Sequence, residues 1–169
     1  GEYDAIVVRS STKLTKDVLD HASKLRVIGR AGVGVDNVDL EAATKKGIIV
    51  MNTPGGNTIS TCEHTIAMLL ALSRKIPHAV ASLRKKEWKR NDFMGTELFG
   101  KTLGIIGFGR IGKEVAKRMS AFGMNIIAYD PFIAPDTTPQ IEARIVTLDE
   151  LCKEADYITI HTPKTADTK

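Results

Sequence analysis

The chain has 169 residues, of which 43% are hydrophobic and 26% charged, with a formal net charge of +4 and a pI near 9.1. This is the composition of an ordinary soluble globular protein, long enough for one domain or one and a part. No apolar run reaches the ~18–20 residues of a membrane-spanning helix, so no membrane partner is expected.

The opening, Gly1-Glu2-Tyr3-Asp4, has no basic n-region and no long apolar h-region. It is therefore not a signal peptide, and the cytoplasm is the expected compartment. A strand begins almost at once at Ala5, as expected where a longer polypeptide has been cut. Short apolar runs then alternate with helix-period segments, which predicts βα units around a parallel sheet. Ala5-Ile6-Val7-Val8 reads as a buried strand ending at Arg9-Ser10. Thr15 can cap a short helix through His21, with Val18, Leu19 and Ala22 facing inward. Arg26-Val27-Ile28 is the next strand, and it runs into the loop Gly29-Arg30-Ala31-Gly32-Val33-Gly34-Val35-Asp36-Asn37. Asp39 caps a helix from Leu40 to Lys46, Gly47 stops it, and Ile48 to Met51 forms a third strand.

Asn52-Thr53-Pro54-Gly55-Gly56-Asn57 is dense in turn formers and marks a candidate hinge. A long helix follows from about Thr58 to Arg74, with Ile66, Leu69, Leu70 and Leu72 on its buried side. Pro77 should interrupt it, because proline cannot donate the helical hydrogen bond. A second helix then continues to about Trp88, and Phe93 to Gly100 connects onward. Arg84-Lys85-Lys86-Glu87-Trp88-Lys89-Arg90 is basic, but a solvated helix end accounts for it better than nucleic acid does. Cys62 and Cys152 lie far apart in apolar helical contexts, so two buried reduced thiols are expected and no metal site.

From Lys101 the pattern restarts. Leu103-Gly104-Ile105-Ile106 is a strand, Ile111 to Phe122 a helix, and Asn125 to Tyr129 a second strand. Thr147-Leu148-Asp149-Glu150 fits a capping box opening a short helix, and Asp156 to Ile160 is a third strand ending at His161-Thr162-Pro163. Gly107-Phe108-Gly109-Arg110-Ile111-Gly112 is a GxGxxG, a weak signal alone. Here a strand enters it, an amphipathic helix leaves it with Ile111, Val115, Met119 and Phe122 on one face, and Asp130 ends the next strand, 18 residues after Gly112.

Each residue has a physical task in binding a dinucleotide. Gly107 permits the tight turn, Gly109 lets a pyrophosphate approach the main chain, and Gly112 lets helix and strand pack closely. The helix N-terminus faces the anion, beside Ile111 and with Arg110 adding a charged contact. Asp130 would accept hydrogen bonds from the adenosine ribose and repel a 2′-phosphate, so the expected cofactor is NAD rather than NADP.

The GFGRIG unit with Asp130, together with Gly29 to Asp39 and Asn52-Thr53-Pro54, resembles the D-2-hydroxyacid dehydrogenase family over essentially the whole chain. The resemblance implies an α/β protein, a Rossmann doubly wound parallel sheet preceded by part of a smaller flavodoxin-like α/β substrate domain, divided as 1–53 and 54–169. Val8-Arg9-Ser10, Gly55-Gly56-Asn57 and Phe93 to Leu98 resemble the members that act on a phosphorylated 2-hydroxy acid. On that basis the amides around Val33 and Gly34 hold a substrate carboxylate. Arg9, Arg30 and Asn57 lie around its phosphate, which suits guanidinium forks and amide donors. An ordinary strand-end ion pair is the plain alternative for the two arginines. His161, Thr162 and Pro163 would lie beside the nicotinamide ribose.

The family's catalytic arginine, glutamate and histidine follow well after such an HTP segment, so none is assigned here and all are expected downstream of Lys169. His21, His64 and His78 are helical and fit a structural role. The resemblance further implies at least a homodimer, built on the long helix and the Trp88 to Leu98 segment. It leaves open an NAD-sensing transcriptional corepressor on the same scaffold and a dehydrogenase for another 2-hydroxy acid, such as a glyoxylate or hydroxypyruvate reductase. S-adenosylhomocysteine hydrolase also binds NAD, but its signature around the glycines differs.

Overall fold

Three four-residue strands, β1 (Ala5–Val8), β2 (Val27–Arg30) and β3 (Ile49–Asn52), pair in parallel in that order in the computed structural model, which describes residues 2–133 and 143–163. Parallel neighbours require a crossover between them. The helices α1 (Lys16–Asp20) and α2 (Leu40–Lys45) supply it. Asp39 caps α2, its carboxylate accepting from the Ala42 amide at 2.9 Å, and Gly47 closes the helix at φ 69°, a conformation open to glycine. Val8, Leu14, Leu19, Ile28, Val38, Ala42, Ala43 and Ile48 form the core beneath this sheet.

Two expectations fail in this first unit. β1 is not a buried strand: Val8 is buried, but Val7 is 76% exposed. The register sets Val7 beside Gly29 and Met51, and Ala5 beside Val27 and Ile49, on one face of the sheet, and α1 and α2 cover only the other face. Val18 is also exposed, because α1 is little more than one turn and only Leu19 reaches the core.

The chain divides into two compact units, the first ending at Asn57 and the second beginning at Thr58. The second opens with α3 (Thr58–Ser73) and α4 (Ile76–Arg84), bent 66° apart. Pro77, in the first turn of α4, would press its ring on the carbonyl four residues back, at Ser73, which is where α3 stops. Lys75 takes up the turn at φ 52°. α4 ends at Arg84 and does not reach Trp88, since Lys86 turns left-handed at φ 60°.

A four-stranded parallel sheet follows, with β4 (Thr102–Ile106), β5 (Asn125–Tyr129), β6 (Arg144–Ile145) and β7 (Tyr157–Ile160) in the order β6-β5-β4-β7. α5 (Arg110–Ser120) joins β4 to β5, and α6 (Leu148–Glu154) leads into β7. The Thr147–Glu150 capping box is formed reciprocally. α3 packs on α5, and Cys62, Leu98, Leu103, Ile105, Phe108, Val115, Ala116 and Met119 make the core.

Leu72, expected on the buried side, is 71% exposed, because the face of α3 that meets α5 runs through Cys62, Ile66, Leu69 and Leu70. Phe122 lies past the end of α5 and is exposed. Cys152 is exposed on α6, where Leu151 is the residue turned inward, so only Cys62 is a buried thiol. Among the described residues no single helix is long and apolar enough to cross a membrane.

Candidate functional site

β4 is the centre of the second sheet, with β5 on one side and β7 on the other, so the chain changes direction across it. In open α/β sheets ligands gather outside the strand carboxyl ends at such a reversal. Gly107 leaves β4 at φ 92°, and its amide donates to the Tyr129 carbonyl at 2.8 Å. A Cβ here would stand 2.8 Å from both the His161 carbonyl oxygen and the Thr162 methyl. The position is closed to a side chain by conformation and by space.

Gly109 is the N-cap of α5, with no side chain capping the turn. Among the described residues a Cβ on Gly109 would meet nothing within 4 Å, so none of their atoms accounts for a glycine at this place. Gly112 is the reverse case, because a Cβ there would collide with the Gly107 carbonyl oxygen and crowd Ile105. The three glycines thus separate into one that turns, one that leaves space and one that packs. The first amides of α5 have no intrahelical partners, and the helix dipole favours an anion beside them. Arg110 is exposed at that end, while Ile111 is half-buried against the core.

Asp130 follows the last residue of β5. Its Oδ2 accepts from the Phe108 amide at 2.9 Å and its Oδ1 from the Phe132 amide at 3.0 Å. The carboxylate is therefore fixed against the glycine turn, with acceptor capacity to spare. On the other side of β4, the His161 amide donates to the Ile106 carbonyl at 2.7 Å, and its Nε2 lies 3.1 Å from Thr159 Oγ1. Burial holds the His161 imidazole below its ordinary pKa. Gly107, Gly109, Gly112, Asp130, His161 and Thr162 accordingly surround one sheet edge, with Pro163 exposed beyond it.

The first unit has a second cluster at its own sheet edge. Arg9 follows β1, Arg30 ends β2, and Val33 and Gly34 lie in the exposed loop after it. Among the described residues no ion pair involves Arg9 or Arg30, so the strand-end ion pair is not formed. Asn57, exposed, closes the unit.

Two residues were not anticipated. Asn37, only 8% exposed, donates to the Arg9 and Thr12 carbonyls at 3.0 and 2.6 Å and accepts from Arg30 Nε at 3.4 Å. Asn52 donates to the Val33 carbonyl at 2.7 Å. Their partners are distant in sequence, and no periodicity announces them. His21, His64 and His78 are all exposed, and among the described residues no cluster of His, Cys, Asp and Glu could hold a metal ion.

Residues 66–169 match the family described as D-isomer specific 2-hydroxyacid dehydrogenase, NAD binding domain. The chain is 54% identical over 167 residues to the D-3-phosphoglycerate dehydrogenase of Archaeoglobus fulgidus, covering 99% of this chain and 32% of that protein. It is 56% identical over 169 residues to the enzyme of that name from Methanocaldococcus jannaschii, again 99% of this chain and 32% of the relative. The chain thus spans about a third of the length of these curated relatives. Among solved structures it is similar to a D-lactate dehydrogenase from Aquifex aeolicus complexed with NAD and lactic acid. There the TM-score is 0.88 at 35% identity, with 98% of this chain and 50% of that one covered.

Proposed function

Since the chain belongs to the D-isomer specific 2-hydroxyacid dehydrogenase family, we propose that its protein oxidises 3-phosphoglycerate to 3-phosphohydroxypyruvate with NAD, the opening step of serine synthesis. This chain supplies the NAD site and part of the substrate site. When bound, NAD provides the acceptor for the hydride that leaves the hydroxyl-bearing carbon.

The residues of the chain bind and orient. The uncapped amides at the start of α5, with Arg110, hold the pyrophosphate across the space left by Gly109. Asp130 accepts from the adenosine ribose, and its charge disfavours a 2′-phosphate. His161, Thr162 and Pro163 line the place of the nicotinamide ribose. In the first unit the Val33 and Gly34 amides take the substrate carboxylate, and Arg9, Arg30 and Asn57 take the phosphate. Proton exchange with the hydroxyl is assigned to the rest of the whole protein, because His161, which does lie at this sheet edge, turns its ring to Thr159 Oγ1 on its own strand. A cytoplasmic site suits a phosphorylated metabolite and a soluble dinucleotide.

We also assign the exposed apolar side of α3 and α4 to a second copy of the chain. Met68, Leu72, Ile76, Val80 and Leu83 are each between 42% and 71% exposed, and a cleft of about 610 Å³ lies among Met68, Leu72, Pro77, His78 and Phe93. An apolar surface of this extent is characteristic of an interface, and a two-fold pairing is the commonest way to cover it.

The observation that carries the reading is the empty space over Gly109 at an uncapped helix start, next to a fixed carboxylate at the next strand's end. The experiment is a comparison of kcat/KM for 3-phosphoglycerate, D-glycerate and D-lactate with NAD, using the whole protein. The phosphorylated acid is expected to be preferred by at least about tenfold. A preference for lactate, or NAD binding without turnover of any of the three, overturns the assignment.

A further inference from the structure

We propose that Gly32 and Asn37 are positioning residues for the guanidinium of Arg30, and so set the preference of this sheet edge for a phosphorylated over an unphosphorylated 2-hydroxy acid. The inference rests on the reading that Arg30 meets the substrate's phosphate. What it adds is the reason a long, flexible side chain is ready to do so.

An arginine at a strand end would usually be steered by a carboxylate. Among the described residues Arg30 has no such partner, and its charge is left for a ligand. Two neutral features constrain it instead. The first is Asn37, whose side-chain oxygen accepts from Arg30 Nε at 3.4 Å while its amide group donates to the Arg9 and Thr12 carbonyls. The backbone of Asn37 adds to the clamp, since its carbonyl accepts from the Leu14 amide at 2.8 Å. One buried side chain therefore ties the end of β1 to the end of β2, and with them the two arginines.

The second feature is Gly32. Its amide donates to the Arg30 carbonyl at 2.9 Å, which folds the chain back beneath the side chain of Arg30. A Cβ built on Gly32 would coincide with Arg30 Nη1 and press on Cζ, so the guanidinium occupies the place where any other residue would carry its side chain. The Thr53 amide, one residue past β3, donates to the Gly32 carbonyl at 3.0 Å and holds this seat from the other side. The guanidinium is thus bounded by Gly32 on one side and Asn37 at Nε. Its two terminal nitrogens remain to meet an anion in the forked geometry that phosphate favours. Fixing the group before binding removes ordering that the ligand would otherwise have to bring about.

The test uses Gly32→Ala, Asn37→Ala and Arg30→Gln in the whole protein, with dissociation constants for 3-phosphoglycerate and D-glycerate measured by calorimetry. The unmodified protein should favour the phosphorylated acid by at least about tenfold, the worth of one charge-assisted hydrogen bond. Gly32→Ala and Asn37→Ala should each bring that ratio below about threefold, and Gly32→Ala combined with Arg30→Gln should be no worse than Arg30→Gln alone. If the unmodified protein shows no preference, the functional reading itself fails. A preference that survives in both positioning variants overturns this proposal alone.

A measurement on the unmodified protein guards against variants that fail to fold. The Arg30 Nε–H resonance should stand apart from those of the other arginines and shift on adding 3-phosphoglycerate but not D-glycerate. An Arg30 signal averaged with the exposed arginines overturns the proposal.

Discussion

The carboxylate of Asp130 accepts a hydrogen bond from the main-chain N–H of Phe108, 22 residues earlier in the chain, at 2.9 Å. The acidic residue assigned to the ribose therefore also braces the glycine turn assigned to the pyrophosphate. Asp130→Asn keeps an oxygen for the Phe108 amide while removing the charge that disfavours a 2′-phosphate. The preference for NADH over NADPH should narrow by about tenfold or more, with little change in thermal unfolding. Titration of both cofactors into both proteins checks this. Equal affinities in the unmodified protein would remove the role given to Asp130.

The glycines of the turn should separate in their response to a methyl group. In Gly109→Ala the new Cβ meets no atom of the described residues, so the fold should lose no more than about 1 kcal/mol, the usual cost of replacing a favourable N-cap residue. Dinucleotide affinity should nevertheless fall at least about tenfold, because the methyl occupies the ligand's place. In Gly112→Ala the methyl collides with the Gly107 carbonyl, and overpacking should cost about 1–3 kcal/mol whether or not cofactor is present. Urea unfolding and NADH titration of the two variants measure both effects.

His161 should make stability sensitive to mild acid. Burial lowers its folded-state pKa below the ordinary value of 6.5. The unfolded chain therefore binds this proton more readily than the folded chain does. The stability supplied by the neutral ring is complete above pH 6.5 and is lost as pH falls through the lowered folded value. The urea midpoint should decline from pH 6.5 downward, and His161→Gln should flatten that part of the profile. Identical profiles for the two proteins would show that the ring is not held neutral by its surroundings.

The apolar side of α3 and α4 should associate. Leu72, 71% exposed, and Val80, 42% exposed, stand on that side, and placing a charge on each by Leu72→Asp and Val80→Asp should convert a dimer to a monomer without unfolding it. Sedimentation equilibrium at micromolar concentration reads the mass directly. A monomer in the unmodified protein would end the assignment of this surface to a second copy.

The geometry of the glycine turn was legible in the sequence, because what Gly107, Gly109 and Gly112 do there is local: a turn, a gap and a contact within one βα unit. Asp39, Gly47, Pro77 and Thr147 were legible for the same reason, each acting on atoms within a few residues of itself. Burial on the helices was less so. α3 is apolar on several sides, and periodicity alone does not say that Cys62, Ile66, Leu69 and Leu70 meet α5 while Leu72 and Met68 do not. The two-residue strand β6 is too short to carry a pattern. Asn37 was illegible in principle, since its side chain acts on carbonyls 25 and 28 positions away, and a polar residue in a glycine-rich loop looks the same with or without them.

Calorimetric titration of NADH into the 169-residue chain tests the dinucleotide site most directly, because every residue assigned to it lies between Gly107 and Pro163. One NADH per chain is expected, bound more tightly than NADPH and weakened at least about tenfold by Gly109→Ala. A folded chain that takes up no NADH at millimolar concentration, or that binds it equally well with Gly109→Ala in place, would contradict the assignment of the α5 N-terminus as its phosphate site.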